Sequence, residues 1–286
     1  MPSSAAFAGR RELWFVRPRT PLFSRGVVRQ AGGVQPDFGG TTAQLYAKYR
    51  RDLPAVQASA LAGLIGLRTD DVVVDLGCGT GQLAVPLHPH CAAVLGIDPE
   101  PAMLVQLRAR AAPRVLCLLG DEHDLPRLSS VCGRPVGAVV IGNALHWMDE
   151  AATLEASAAL LRPGGALAVI TQGPPMWLGT APWQLAVRQT LEASSGPVSG
   201  NCRTDESALD ERLGIARGLG LDVQVVSWQA EYVVDVDWVV GHLGSAMNAD
   251  RWVAAVDDLT GALQAFDGHP MVERVSTTVL IAHRTG

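Results

Sequence analysis

Between residues 41 and 67 apolar side chains recur about once per helical turn, at Leu45, Tyr49, Leu53, Val56 and Leu61, and Pro54 interrupts them. That spacing predicts two helices meeting at the proline. Beyond residue 70 the period changes. Val72–Leu76 is a short apolar, β-branched run ending in glycines, and residues 92–97, Val115–Leu119 and 136–141 are similar runs. Helical patterns at 82–87 and 102–111 lie between the first of them. Strand then helix, repeated, predicts a parallel sheet, and unbroken apolar strands predict helices on both of its faces.

Residues 150–161 read as a helix stopped by Pro163, Gly164 and Gly165, and 166–171 as a fifth strand. The stretch 173–200, with Pro174, Pro175, Trp177, Pro182, Trp183 and Pro197, breaks this rhythm and holds a helix near 183–193. It reads as an insertion over the sheet edge. A helix at 205–219, a long strand at 223–234, one or two helices within 238–266 and an alternating strand at 275–283 complete the chain. Because helices rather than a tight turn join the last two strands, an antiparallel edge is expected.

Composition narrows the class. The chain has 286 residues, 48% apolar, 18% charged and 5% aromatic, enough for a large core and unlike disordered or fibrous sequences. Cys78, Cys91, Cys117, Cys132 and Cys202 are odd in number and form no CxxC pair, which predicts a reducing compartment and no structural metal. No run reaches the roughly 20 apolar residues of a spanning helix, so a soluble, cytoplasmic protein without membrane partners is expected. Residues 1–40 are rich in arginine and lack apolar periodicity. They read as a basic arm, mobile or covering the substrate, ahead of a single domain at 41–286. Lys48 is the only lysine, which fits a GC-rich bacterial gene. Residues from 151 onward hold 15 acidic and 8 basic groups within a net charge of −5, which disfavours nucleic acid and favours a cationic or neutral ligand.

Chemistry concentrates at the strand ends. Asp75-Leu76-Gly77-Cys78-Gly79-Thr80-Gly81-Gln82 follows the first strand, where glycines admit a ligand close to the backbone and a helix start offers N–H groups to an anion. A dinucleotide fingerprint would need glycine at position 82, where Gln82 stands, so the spacing is GxGxG. The second strand ends in Asp98, 23 residues on, where a carboxylate can accept both hydroxyls of a ribose. The third is followed by Asp121, Glu122, His123 and Asp124, placed to meet an adenine amino group. Any one of these acids alone could be a helix cap. After three successive strands, they describe a nucleoside laid across the carboxyl edge.

In these segments the chain resembles the class I S-adenosylmethionine-dependent methyltransferases, in the small-molecule branch with the ubiquinone and menaquinone C-methyltransferases and many natural-product enzymes. The matching segments are VVVDLGCGTGQL at Asp75, VLGIDPEPAML at Asp98, LLGDEHDLP at Asp121, VVIGNALHWMD at His146 and LLRPGGALAVI at Gly165. The resemblance runs from about Tyr46 to the end. It implies a Rossmann-like, doubly wound seven-stranded sheet, mostly parallel with an antiparallel edge strand, plus a helical substrate lid with insertions near 173–204 and 238–266. It also implies a cofactor, S-adenosylmethionine, held by Asp75, Gly77, Cys78, Gly79, Gln82, Asp98, Pro99, Met103, Asp121, Glu122 and Asn143. The segment Tyr46-Ala47-Lys48-Tyr49-Arg50-Arg51-Asp52-Leu53-Pro54 resembles the YxxYRPxYP segment of part of this branch. That adds Tyr46 over the cofactor and Arg50 on its methionyl carboxylate, while Arg51 stands where Pro is usual.

Transfer of a methyl group from a sulfonium is an in-line displacement, so alignment and exclusion of water are the protein's main tasks. A proton must still leave a hydroxyl or ammonium acceptor. His146, just past the fourth strand, is the candidate general base, or else it shapes the site. Trp147, Trp177, His242 and Asn248 are candidate substrate-pocket residues. The acidic second half points to an amine acceptor on an amino sugar or aminoglycoside in secondary metabolism, with O- or C-methylation as the alternative and a monomer or homodimer as the assembly. A nicotinamide-dependent oxidoreductase and a non-catalytic binding module are the competing classes, disfavoured by GxGxG, by the Arg162-Pro163-Gly164-Gly165 turn and by the intact Asp98.

Overall fold

The two helices expected around Pro54 are α1 (Gly40–Tyr49) and α2 (Ala55–Leu64), joined by extended backbone. The computed structural model describes residues 38–110, 112–131, 133–198, 203–247 and 249–285. The basic arm therefore lies outside the described residues, apart from its last three positions.

The alternation from residue 72 onward becomes β1 (Val72–Leu76), α3 (Ala84–Leu87), β2 (Ala93–Asp98), α4 (Pro101–Ala109), β3 (Val115–Leu119), α5 (Leu125–Val131), β4 (Val136–Gly142), α6 (Glu150–Leu160) and β5 (Ala166–Gly173). Then follow α7 (Pro182–Ser195), α8 (Glu206–Gly218), β6 (Asp222–Val234), α9 (Val236–Gly244), α10 (Ala249–Gln264) and β7 (Met271–His283). The strands form one seven-stranded sheet in the order β3-β2-β1-β4-β5-β7-β6. The first five are parallel, and β7 runs antiparallel to both β5 and β6, so the expected antiparallel edge is present.

Side chains alternate across the sheet as the strand period requires. Val74, Leu76, Val139, Ile141, Leu167 and Val169 face one way and pack with Leu125 of α5, Leu154 of α6 and Leu213 of α8. Val73, Ala138, Val140, Ala168 and Ile170 face the other, against Leu61 of α2, with Ala84 and Leu87 of α3. A third cluster is separate from both. Trp183, Val187 and Leu191 of α7, Val239 and Leu243 of α9, and Ala255, Leu259 and Leu263 of α10 bury one another. The stretches 173–204 and 238–266, distant in sequence, thus share one helical cap.

Carboxylates start the helices. Glu100, Asp149, Asp205 and Asp235 each accept a backbone N–H in the first turn of α4, α6, α8 and α9. One helix is shorter than its pattern: α3 is a single turn, because Pro86 and Pro89 remove backbone donors, and residues 88–90 continue as a 3₁₀ turn. Among the described residues no helix is long and apolar enough to cross a membrane.

Candidate active site

Each functional side chain of the glycine-rich segment is placed by the end of a strand. Gly77 and Gly79 have φ of +68° and +51°, the left-handed region, and a Cβ at Gly77 would stand 2.5 Å from the Cβ of Ala144. The loop after β1 therefore lies directly against the turn after β4. Gly77 and Cys78 donate their N–H groups to the Ile97 carbonyl at 2.8 and 3.0 Å. Gly79 donates to Asp98 Oδ2 at 2.8 Å, and the Glu100 N–H donates to Asp98 Oδ1 at 2.9 Å. Asp98 is held from two sides, with further lone pairs on each oxygen.

Asp75 is buried beneath this loop. Among the described residues its Oδ2 has no hydrogen-bond partner. Burial raises its pKa to about 7, the charge of Asp98 adds to the shift, and the Ala84 N–H opposes it. Burial also raises Asp98, against the N–H groups of Glu100 and Gly79. An orphaned carboxylate oxygen under a glycine loop, beside a fixed second carboxylate, fits a ligand that brings its own donors. The short α3 has a separate consequence: with one turn it offers no helix-end anion site of the kind expected there.

The segment from Tyr46 to Leu53 lies against the same loop. Tyr46 of α1 covers the loop, its Cε1 3.6 Å from where a Cβ of Gly79 would lie. Arg50 lies 5.1 Å from the Tyr46 ring centroid, and its Nε donates to Ser245 Oγ at 2.8 Å. Arg51, where the family pattern has Pro, stacks between Tyr232 and Trp238 and pairs with Glu273. Leu53 N–H donates to the Gln82 carbonyl at 3.0 Å, tying the same segment to the loop's far end. Gln82 itself turns inward to Thr80 Oγ1 at 2.6 Å.

Other sequence-predicted residues have local duties. Asp121 caps the 3₁₀ turn Glu122–Asp124, its Oδ1 accepting from the His123 N–H at 3.0 Å. Glu122 lies 3.9 Å from His123 Nε2. Met103 of α4 is buried, Cys78 packs with Leu104 and Leu107, and Pro99 is exposed between β2 and α4. Asn143 has φ of +47° and accepts the Gln172 N–H at 2.8 Å through Oδ1. Trp177 packs into the helical cap, its carbonyl accepting from Arg188 Nε at 2.6 Å. Asn248 lies outside the described residues.

His146 sits in the turn after β4, its ring 4.7 Å from that of Trp147, which meets Phe38 edge-on at 6.1 Å. A small cavity at the carboxyl ends of β4 and β5 is lined by Asn143, Ala144, Leu145, His146, Val169, Ile170, Thr171 and Arg212. Arg212 is buried and grips Glu150 with two bonds, at 2.9 and 2.7 Å. Burial and the charge of Arg212 push the His146 pKa down to about 4. Phe38, Thr171 and Arg212 carried no motif signal. His242 is half-buried in α9 beside Trp238, and desolvation with the Arg50 and Arg51 charges holds its pKa well below the usual imidazole range.

Four acidic residues of the second half have structural duties. Asp205 and Asp235 are helix caps, Glu211 pairs with Arg203, and Asp237 accepts from Tyr49 Oη at 2.9 Å. Among the described residues no group of three or more His, Cys, Asp or Glu is placed to hold a metal.

Comparison with known proteins gives this geometry a family. Residues 73–165 match the model of a methyltransferase domain. An uncharacterised methyltransferase of Mycobacterium tuberculosis is 36% identical over 122 residues, covering 43% of this chain and 48% of that protein. The chain thus spans about half the length of such relatives. A trans-aconitate 2-methyltransferase of Escherichia coli is 28% identical over 206 residues, 68% of this chain and 75% of that protein. Among solved structures, a candidate type II methyltransferase of Anaeromyxobacter dehalogenans shares the fold at a TM-score of 0.54 and 22% identity, over 83% of this chain and 98% of that one. The YcgJ protein of Bacillus subtilis does so at 0.52 and 17%, over 81% and 99%. Residues 73–165 are accordingly similar to methyltransferase domains of the class I, S-adenosylmethionine-dependent kind.

Proposed function

We propose that the chain transfers a methyl group from S-adenosylmethionine to a small-molecule acceptor, and that the acceptor atom is an oxygen already ionised at neutral pH, a carboxylate. Bound, the cofactor supplies an electrophilic methyl group on a good leaving group. The chain's own residues have the remaining tasks. Asp98 would accept the ribose hydroxyls, the loop from Asp75 to Gly81 would hold the aminoacyl end, and Arg50 would face its carboxylate. Trp147 and Phe38 would keep water from the reacting atoms.

The observation that carries the acceptor class is the imidazole at the cavity after β4 and β5, which has a pKa near 4 although Glu150, paired with the lining Arg212, opposes that shift. Such an imidazole is neutral at pH 7 but is a poor base for an ammonium or hydroxyl proton. A carboxylate has no proton to lose. His146 then orients the acceptor by hydrogen bonding. The name of the trans-aconitate relatives, which specifies a tricarboxylate, supports the same class. N-methylation of an amino sugar keeps only the acidic composition as its warrant, and a place in secondary metabolism only the sequence resemblance. The test is transfer of labelled methyl to carboxylates, phenols and aminoglycosides between pH 6 and 9. Carboxylate turnover that is flat across that range is expected. Turnover confined to amines, rising with pH as the amine loses its proton, would overturn the assignment.

A further inference from the structure

Ser245 follows the last turn of α9 with its side chain fully buried. Its Oγ accepts from Arg50 Nε at 2.8 Å and donates to the His242 carbonyl at 2.6 Å, so its rotamer is set from both sides. The helix that carries it is itself fixed on α1. Asp237 and Gly241 lie on the same face, two turns and one turn earlier. Tyr49 donates to Asp237, and its ring fills the notch at Gly241, where a Cβ would stand 2.1 Å from Cε2.

The guanidinium so held lies over Tyr46, and Tyr46 lies over Gly79. Among the described residues no carboxylate pairs with Arg50, while Lys48, Arg51 and Arg110 around it pair with Asp237, Glu273 and Asp52. Anchored at Nε by a neutral hydroxyl, Arg50 keeps its charge uncompensated and its terminal donors for a planar anion. His242, half-buried and neutral beside it, adds no competing charge. We infer that Ser245 is a positioning residue for the cofactor's carboxylate, holding Arg50 over the glycine-rich loop from the helical cap. This rests on the methyltransferase reading above.

The test is calorimetric titration with two ligands that share a nucleoside and thioether. S-adenosylhomocysteine carries the amino-acid arm and 5′-methylthioadenosine lacks it. Ser245→Ala is expected to weaken S-adenosylhomocysteine about tenfold and to leave 5′-methylthioadenosine unchanged within about twofold. Ser245→Thr, which keeps the hydroxyl, should restore binding, and adding Ser245→Ala to Arg50→Ala should cost nothing further. Equal losses for both ligands, or none for either, would overturn the inference and leave Ser245 a packing residue. A wild-type protein that binds neither ligand would instead remove the methyltransferase reading and this inference with it.

Discussion

Asp75 is buried with no partner for Oδ2 among the described residues, and burial raises its carboxyl pKa from 3.8 to about 7 in the folded chain. Between those limits the folded state binds the extra proton, so stability from this group falls as pH rises from about 4 to 7 and stays low above. The difference corresponds to about 4 kcal/mol. Asp75→Asn removes the charge and keeps an acceptor for the Ala84 N–H. Its advantage in urea unfolding should be small at pH 4 and grow to a few kcal/mol at pH 8, while cofactor affinity drops. A gap independent of pH would show that the buried charge costs nothing. His146 slopes the other way: its folded pKa near 4 lies below the unfolded 6.5, so its contribution is lost as pH falls through that window, and His146→Gln removes it. At this scale much of the site was legible. Asp75, Gly77, Gly79 and Asp98 announce themselves by strand ends and glycine spacing. Arg212 and Ser245 do not, because a buried arginine and a serine past a helix end acquire their roles only when α8 and α9 fold over the sheet.

Among the helices, glycine separates two physical effects that sequence alone cannot. Gly214 in α8 and Gly241 in α9 are both helical, but a Cβ at Gly214 meets nothing within 4 Å and one at Gly241 meets the Tyr49 ring. Gly214→Ala should therefore stabilise the protein by about 0.5–1 kcal/mol through helix propensity. Gly241→Ala should destabilise it by about 1–3 kcal/mol, since the ring must leave its notch. Thermal melts of the two variants check the opposite signs; a shared sign would mean that α1 and α9 do not meet as described. Element boundaries followed the same division between local and tertiary causes. β1 and β3 fall where the apolar runs end, because those runs are bounded by glycine, proline and charge. The helix expected at 82–87 shrank to α3 because Pro86 and Pro89 outweigh apolar spacing.

For the molecule as a whole, burial is divided among two sheet faces and a helical cap with its own core. The sheet was legible because it is built from consecutive strand and helix units. The cap was not, beyond the presence of its helices, because α7 and α10 are brought together across some fifty residues that include β6. A core of its own predicts local unfolding of the cap ahead of the sheet. The segment from Tyr46 to Leu53 joins them: Tyr49, Arg50 and Arg51 engage Asp237, Ser245 and Glu273, while Leu53 binds Gln82 at the glycine-rich loop. Leu259 is fully buried at the centre of the cap, and Leu259→Ala should cost about 2–5 kcal/mol locally. Native-state hydrogen exchange should show this loss in α7, α9 and α10 with protection of β1 and β4 unchanged. S-adenosylhomocysteine should then slow exchange in α9 as well as in residues 77–82, because both ends of the joining segment are fixed together. If β1 and β4 lose as much protection as α10, cap and sheet unfold as one unit, and the joining segment couples them too tightly for the cap to act as a separate cover.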